Sequence, residues 1–292
     1  MKKLLIFLAL ILSVVGCSNG NSYNHNPLNT TQSREIAKIT NKYYVDQECV
    51  ATRSTTFTYD ILKRISSISD ECQKDYDNTY LIEQYITYLA DKSIKLIEFE
   101  YKDDKELSTT EITMTVGING CISELEGESH SYYDDYEYTD EWHTYYSYSD
   151  LDYLYSGSVN GEINQSYTWK NGNLITLKET RTYNDYKSVL HVGYNNKVAP
   201  NINIDISKCI LLYLMDYRVH APVTGLYNNC IGCTDLFGMK NNNFITNIEY
   251  KDYAWADFSW TYDIYGFPTK CISSLYDEGG YCFQVISEFE YL

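Results

Sequence analysis

Proline and positive charge are both scarce in this chain, with 4 prolines in 292 residues and 23 Lys and Arg against 40 Asp and Glu. Proline removes a backbone donor, so its rarity leaves long stretches free to join hydrogen-bonded ladders. The acidic excess gives a formal net charge of −17 and excludes an electrostatic grip on nucleic acid or on an anionic lipid surface. No apolar run after residue 17 approaches the roughly 20 residues that a membrane-spanning helix needs. The strand-like segments also lack the repeated lipid-facing apolar band of an outer-membrane barrel. G-x-S-x-G, a phosphate-binding loop and G-x-G-x-x-G do not occur. The histidines His25, His130, His143, His191 and His220 form no helical metal pair, and no carboxylate spacing marks glycoside hydrolysis. The sequence therefore implies no cofactor, no metal and no catalytic residue, and His143, beside Trp142, is the histidine most worth testing.

The N-terminus reads as an export signal. Lys2-Lys3 forms the basic region, Leu4 to Leu12 the apolar region, and Val14, Val15 and Gly16 lead into Cys17. This run resembles the lipobox of bacterial lipoproteins, in which the cysteine thiol is diacylglycerated and the freed amine acylated. The resemblance implies a signal peptide over 1–16, lipid attachment at Cys17 and a membrane partner reached through that lipid. Acyl chains bury methylenes at about 0.8 kcal/mol each, so several of them anchor a protein durably. Removing 1–16 takes away Lys2 and Lys3 and no acid, which moves the charge from −17 to −19. Ser18 stands where some bacteria place an inner-membrane retention aspartate, which favours the outer membrane, facing either the periplasm or the outside.

Residues 17–34, rich in Asn, Ser and Thr, read as the lipidated cysteine and a flexible tether. Residues 35–292 read as a single β-rich domain. Short stretches alternate with period two between turn clusters of Asn, Asp, Gly and Lys. The 32 tyrosines suit half-buried strands, where the ring packs and the hydroxyl stays in water.

A hairpin unit recurs. Phe57-Thr58-Tyr59-Asp60-Ile61, a turn and Ile65-Ser66-Ser67-Ile68 return as Trp260-Thr261-Tyr262-Asp263-Ile264, a turn and Ile272-Ser273-Ser274-Leu275. Tyr167 to Leu177 has the same layout, and Phe99 to Leu107 is a looser copy. These units resemble the tyrosine–aspartate hairpin repeats of large bacterial surface proteins. With the lipobox, the run Asn201 to Ile206 and the run Asp235 to Asn241, the chain also resembles a family of Bacteroidetes lipoproteins. The body of that family is a domain of unknown function described as porin-like. The resemblance spans roughly residues 55–292 and implies fold and location.

The expected fold is all-β: an antiparallel meander of about ten to fourteen strands curved into a half-barrel or open barrel, with one or two short helices. Ile206, Cys209, Ile210, Tyr213 and Leu214 recur at helical spacing over 205–217, and a second helix is placed near 235–241. The first reads either as a lid or as core packing.

Ser131 to Tyr155 holds 9 tyrosines and 7 acids and is the candidate recognition segment. Tyr133, Tyr136 and Trp142 can stack on sugar rings, while Asp134, Asp135, Glu137, Asp150 and Asp152 can accept sugar hydroxyls or coordinate a calcium ion. Asp150-x-Asp152 lacks the glycine and distal glutamate of an EF-hand loop. The plainer reading is a hairpin with tyrosines inward and acids outward. Besides Cys17 there are Cys49, Cys72, Cys121, Cys209, Cys230, Cys233, Cys271 and Cys282, and Cys230-x-x-Cys233 lacks the second ligand pair of a zinc site. A turn near Gly279 places Cys282 opposite residues 275–277, which separates it from Cys271. The expected function is non-enzymatic binding of a ligand, glycan or envelope protein from a lipid anchor at the outer membrane. The alternatives are a polysaccharide-acting hydrolase of the envelope and a structural scaffold of an envelope complex.

Overall fold

The computed structural model describes residues 33–74, 78–132, 137–182, 187–202, 240–250, 254–277 and 282–292. The expected helix at 205–217 and the Cys17 segment lie outside these residues, and of 235–241 only Lys240 and Asn241 are described, neither helical.

Every strand pairs antiparallel with its sequence neighbour. The order begins β1 (Ile36–Val45), β2 (Glu48–Tyr59), β3 (Ile65–Lys74), β4 (Asn78–Tyr88), β5 (Ser93–Lys102) and β6 (Lys105–Val116). It continues through β7 (Ile122–Tyr132), β8 (Glu137–Tyr148), β9 (Leu154–Val159), β10 (Ile163–Lys170) and β11 (Asn173–Arg181). The last five are β12 (Lys187–Val198), β13 (Asn243–Tyr250), β14 (Ala254–Tyr262), β15 (Pro268–Asp277) and β16 (Cys282–Tyr291). β16 then pairs with β1 from Phe283↔Val45 to Tyr291↔Ile36, and the sheet closes into a barrel. The half-barrel or open-barrel expectation is thereby corrected, as is the expected strand number. An open sheet leaves two rows of unpaired N–H and C=O groups, and closure pairs both rows with each other.

Alternation decides which side faces in. Ile39, Tyr43, Phe57, Ile68, Ile86, Leu96, Ile112, Met114 and Leu125 are buried, and so are Leu177, Leu190, Ile248, Phe258, Phe283 and Val285. They share the inward face, and each Leu, Ile or Phe so buried contributes about 1.5–3 kcal/mol. Sixteen strands in a round barrel enclose an aqueous lumen. Here the inward residues are cut off from water, so this face does not line an open channel.

The outward face of β4, β5, β14 and β15 carries the aromatics Tyr85, Phe99, Trp255 and Tyr276, but along β1, β2 and β7 the outward positions are polar or charged. They include Lys38, Thr40 and Lys42 on β1, Ser54, Thr56 and Thr58 on β2, and Glu124, Glu126 and Glu128 on β7. A lipid-facing wall would carry apolar residues there, since a Lys or Arg at the bilayer midplane costs roughly 2–4 kcal/mol.

The two rims are built differently. Five hairpins at the rim where Leu292 N meets Glu35 O share one turn, over 60–64, 89–93, 117–121, 149–153 and 263–267. In each, the first residue's N–H donates to the fifth residue's carbonyl and the fourth residue's N–H donates back to the first residue's carbonyl. The fourth residue, Lys63, Lys92, Gly120, Asp152 or Gly266, has positive φ, as a type I turn with a following bulge requires. Asp60 and Asp263 cap their turns by accepting N–H groups two and four residues on. Against the cost of burial, the Arg64 N–H and guanidinium hold Asp60 below the ordinary carboxylate range. The loose copy at Phe99 to Leu107 differs, because its turn at Asp103-Asp104 sits at the opposite rim.

Aromatic side chains close the open ends of the hairpins. Tyr59 donates to Ile36 O, Tyr88 to Ile65 O, Tyr148 to Ile122 O and Tyr291 to Pro268 O. The indoles of Trp169 and Trp260 do the same to Leu154 O and Ile245 O, at 2.8 and 2.7 Å. Each reaches from an even-numbered strand to the preceding strand, so these contacts tie the ends remote from the connecting turn. Burial raises the Tyr148 hydroxyl above its ordinary range, so it stays a donor.

A polar tier crosses the inward face. Asn41 accepts from Ser287 at 2.6 Å, Asp70 accepts from Arg53 and Thr55, Gln84 donates to Glu98 at 2.7 Å, and Gln165 donates to Glu179 at 3.1 Å. Among the described residues Cys49 and Cys271 are free thiols. Cys282 stands opposite Tyr276, and Cys271 opposite Ser287. Burial pushes the Cys271 thiol up to about 12, which keeps it protonated and unreactive.

Two outcomes follow from this packing. Tyr148→Phe strands the Ile122 carbonyl and lowers stability by about 1–3 kcal/mol in denaturant melts. Burial, opposed by the Gln84 hydrogen bond, raises Glu98 from 4.5 to about 7. The folded state then holds a proton that the unfolded chain releases, so stability from this group is full below about pH 4.5 and is lost as pH rises through about 7. Glu98→Gln removes up to about 3 kcal/mol of that decline, read by comparing melts at roughly pH 5 and pH 8.

Candidate functional site

Three adjacent outward strips meet on β6, β7 and β8. Period-two alternation places Glu124, Glu126, Glu128 and His130 along the outer face of β7. Register then sets Thr113 and His143 on either side of Glu126, and Glu111 and Glu141 on either side of Glu128. Of these, Glu111, Thr113, Glu126, Glu128, Glu141 and His143, together with Asn160, line a groove of about 470 Å³ open to solvent. Its volume lies within the range of ligand sites.

The groove floor is the backbone of Gly127, with Trp142 beneath it. Trp142 is paired with Gly127 and buried, and a Cβ at residue 127 would lie 2.2 Å from its ring. Only glycine lets the indole lie across the strand on the inner face.

His143 sits at one end. Its Nε2 lies 2.7 Å from Glu124 Oε1 and 3.8 Å from Glu126 Oε1. The ring packs on Tyr145 with centroids 4.3 Å apart, and the Tyr145 hydroxyl is 3.3 Å from Nδ1. Its backbone N–H donates to Asn160 Oδ1 at 2.7 Å, and its carbonyl accepts from Asn160 N. At the other end His130 Nε2 is 3.2 Å from Glu128 Oε1, while Nδ1 is 3.0 Å from Thr139 Oγ1. Lys95 engages Glu111 at 2.6 Å. Carboxylates dominate the groove, so it suits a cation or a ligand rich in cationic and hydroxyl groups.

The residues singled out from sequence are not gathered in one place. Tyr133, Asp134, Asp135 and Tyr136 lie outside the described residues, between Tyr132 at the end of β7 and Glu137 at the start of β8. Asp150 and Asp152 occupy the turn after β8, and a strand of that length spans about 40 Å. Asp150 is exposed, and Asp152 accepts from Asn119 at 3.2 Å. Trp142 offers no face to a sugar because its ring belongs to the core. His143 is in the groove. Sequence reasoning passed over Glu124, Glu126, Glu128, Glu111 and Asn160, although Glu-x-Glu-x-Glu-x-His is a readable one-face pattern. Gly127→Ala is expected to displace Trp142 and cost about 1–3 kcal/mol by overpacking, measured by chemical denaturation.

No family model matches the chain, and no curated protein matches it. Solved structures do. A porin-like protein from Bacteroides uniformis ATCC 8492 aligns with TM-score 0.58 at 14% identity, covering 88% of this chain and 98% of that one. A porin-like protein from Bacteroides vulgatus ATCC 8482 aligns with TM-score 0.51 at 13% identity, covering 89% and 99%. At such identities the likeness is one of fold, and the chain is similar to these proteins as an antiparallel barrel spanning nearly the whole of each.

Proposed function

We propose that this protein is a lipid-anchored, non-enzymatic binding protein of the cell envelope, held at the outer membrane through Cys17. In this reading it engages a glycan or an envelope protein on the outside of its barrel. The observation that carries the reading is the polarity of the wall: apolar side chains face in and are buried, while Lys38, Lys42, Glu124, Glu126 and Glu128 face out. Such a wall is stable in water, and its inner face conducts nothing. Membrane attachment then falls to the acyl chains, and recognition falls to the outer surface, where the groove over Gly127 offers a cavity of ligand size. The porin-like proteins of Bacteroides share the fold and support an envelope setting.

Fractionation and conductance test the proposal together. The wild-type chain is expected in the membrane fraction, Cys17→Ser in the soluble fraction, and neither should produce conductance steps in a planar bilayer. Membrane retention of Cys17→Ser, or stepwise conductance by the wild type, would overturn it.

A further inference from the structure

We propose that His143 Nε2, Glu124 Oε1 and Glu126 Oε1 form a three-ligand site for a first-row divalent metal of the zinc class. The inference deepens the binding function proposed above and rests on it only for the outer wall being open to solvent. The three donor atoms lie within 4.8 Å of one another, and no ion is needed to bring them together. A tetrahedral centre with metal–ligand distances of about 2.0–2.1 Å sets its ligands about 3.3 Å apart. The two distances from Nε2, 2.7 and 3.8 Å, bracket that value. Accommodating an ion opens one by about 0.6 Å and closes the other by about 0.5 Å, a side-chain adjustment within a rigid strand pair.

The donor set also selects the metal. One imidazole with two carboxylates suits zinc, cobalt or nickel, whereas calcium takes six to eight oxygens and has little use for a ring nitrogen. Nε2 faces Glu124 Oε1 at 2.7 Å, so metal binding there would displace the Nε2 proton; Nδ1–H can then donate to the Tyr145 hydroxyl, 3.3 Å away, and the ring packed on Tyr145 keeps its orientation. Three protein ligands leave a fourth position, which opens toward the groove and accepts water or a donor atom of a bound ligand.

The surrounding charge points the same way. Glu128 faces Glu111 on one neighbouring strand and Glu141 on the other, and like charges directly opposite one another destabilise a sheet. A divalent ion at the Glu124–Glu126 end offsets part of that repulsion. The ligands come from two strands, so the pattern within β7 announces Glu124 and Glu126 but not His143 on β8.

Titration of the purified full-length, chelator-treated protein tests this with zinc by calorimetry and with cobalt by visible absorption. One equivalent of zinc is expected to bind. Cobalt should show ligand-field bands without thiolate charge transfer. His143→Ala and Glu124→Gln should each weaken binding by at least about tenfold, and Tyr145→Phe, which keeps the stacked ring, by about tenfold. Glu290→Gln, exposed on β16 and away from the groove, should stay within about twofold of wild type. Circular dichroism establishes that each variant is folded. Absence of stoichiometric binding, wild-type affinity in folded His143→Ala, or a cobalt–thiolate band would each overturn the site. These outcomes are separate from the anchor: loss of metal binding leaves the Cys17 fractionation result standing, and a soluble wild-type protein that still binds zinc overturns the anchor alone.

Discussion

The meeting of β16 with β1 is the constraint on which the rest of the structure depends. Asn41 with Ser287 at 2.6 Å and Tyr43 with Phe283, centroids 5.9 Å apart, cross that seam on the inner face, while Lys42 and Glu288 cross it on the outer face at 3.3 Å. The exposed ion pair adds little, since surface pairs contribute about 0–1 kcal/mol. The inner contacts matter more, because they are made only when the two strands are in register. A slip of one residue would send Ile39 and Tyr43 outward and Lys42 inward. Closure therefore fixes the side to which every alternating residue points.

Closure also explains the use of tyrosine and tryptophan. Strands joined at the far rim diverge toward the other end unless something holds them, and Tyr59, Tyr88, Tyr148, Trp169, Trp260 and Tyr291 each supply a long side chain ending in a donor. Leucine would fill the same space without meeting the carbonyl. Phenylalanine would leave that carbonyl unsatisfied at about 1–3 kcal/mol. The ring packs against the core while the hydroxyl or indole N–H closes the hairpin, and repetition of this contact accounts for part of the tyrosine bias.

Much of this was legible. Alternation predicts the strands, and the Tyr-Asp pairs at 59–60 and 262–263 mark turns because Asp60 and Asp263 accept two backbone N–H groups each. The backbone register places Cys282 opposite Tyr276, within the window that turn counting gives. Closure was not legible, since it depends on strand number and stagger summed over the whole chain rather than on any local pattern. The groove was not legible for a related reason. A tyrosine-rich acidic segment reads as one surface only while it is treated as one stretch. In the barrel β8 separates its two ends, and Gly127 on the neighbouring strand gives Trp142 a place inside. Glu124 and Glu126 acquire chemical meaning only beside His143, and that proximity is set by the pairing of β7 with β8.

A barrel of this polarity places its chemistry on the wall. Interior carboxylates are present, but each is answered by the chain itself: Asp70 by Arg53 and Thr55, Glu179 by Gln165 and Arg181, Glu98 by Gln84. Burying such groups unpaired would cost several kcal/mol each, so these carboxylates are answered from within the chain and have little reactivity left to offer, while Asn41 Nδ2 in the same tier finds no hydrogen-bond partner. Outside, carboxylates are grouped where the sheet would be more stable if they were apart. Glu128 meets like charge in Glu111 and Glu141 on both neighbouring strands, with His130 3.2 Å away on its own strand, and an ion or ligand of opposite charge gains from all three carboxylates. The inner face is arranged for stability. The strip on β6, β7 and β8 gives some stability up, which Lys95 against Glu111 and His143 against Glu124 offset only in part.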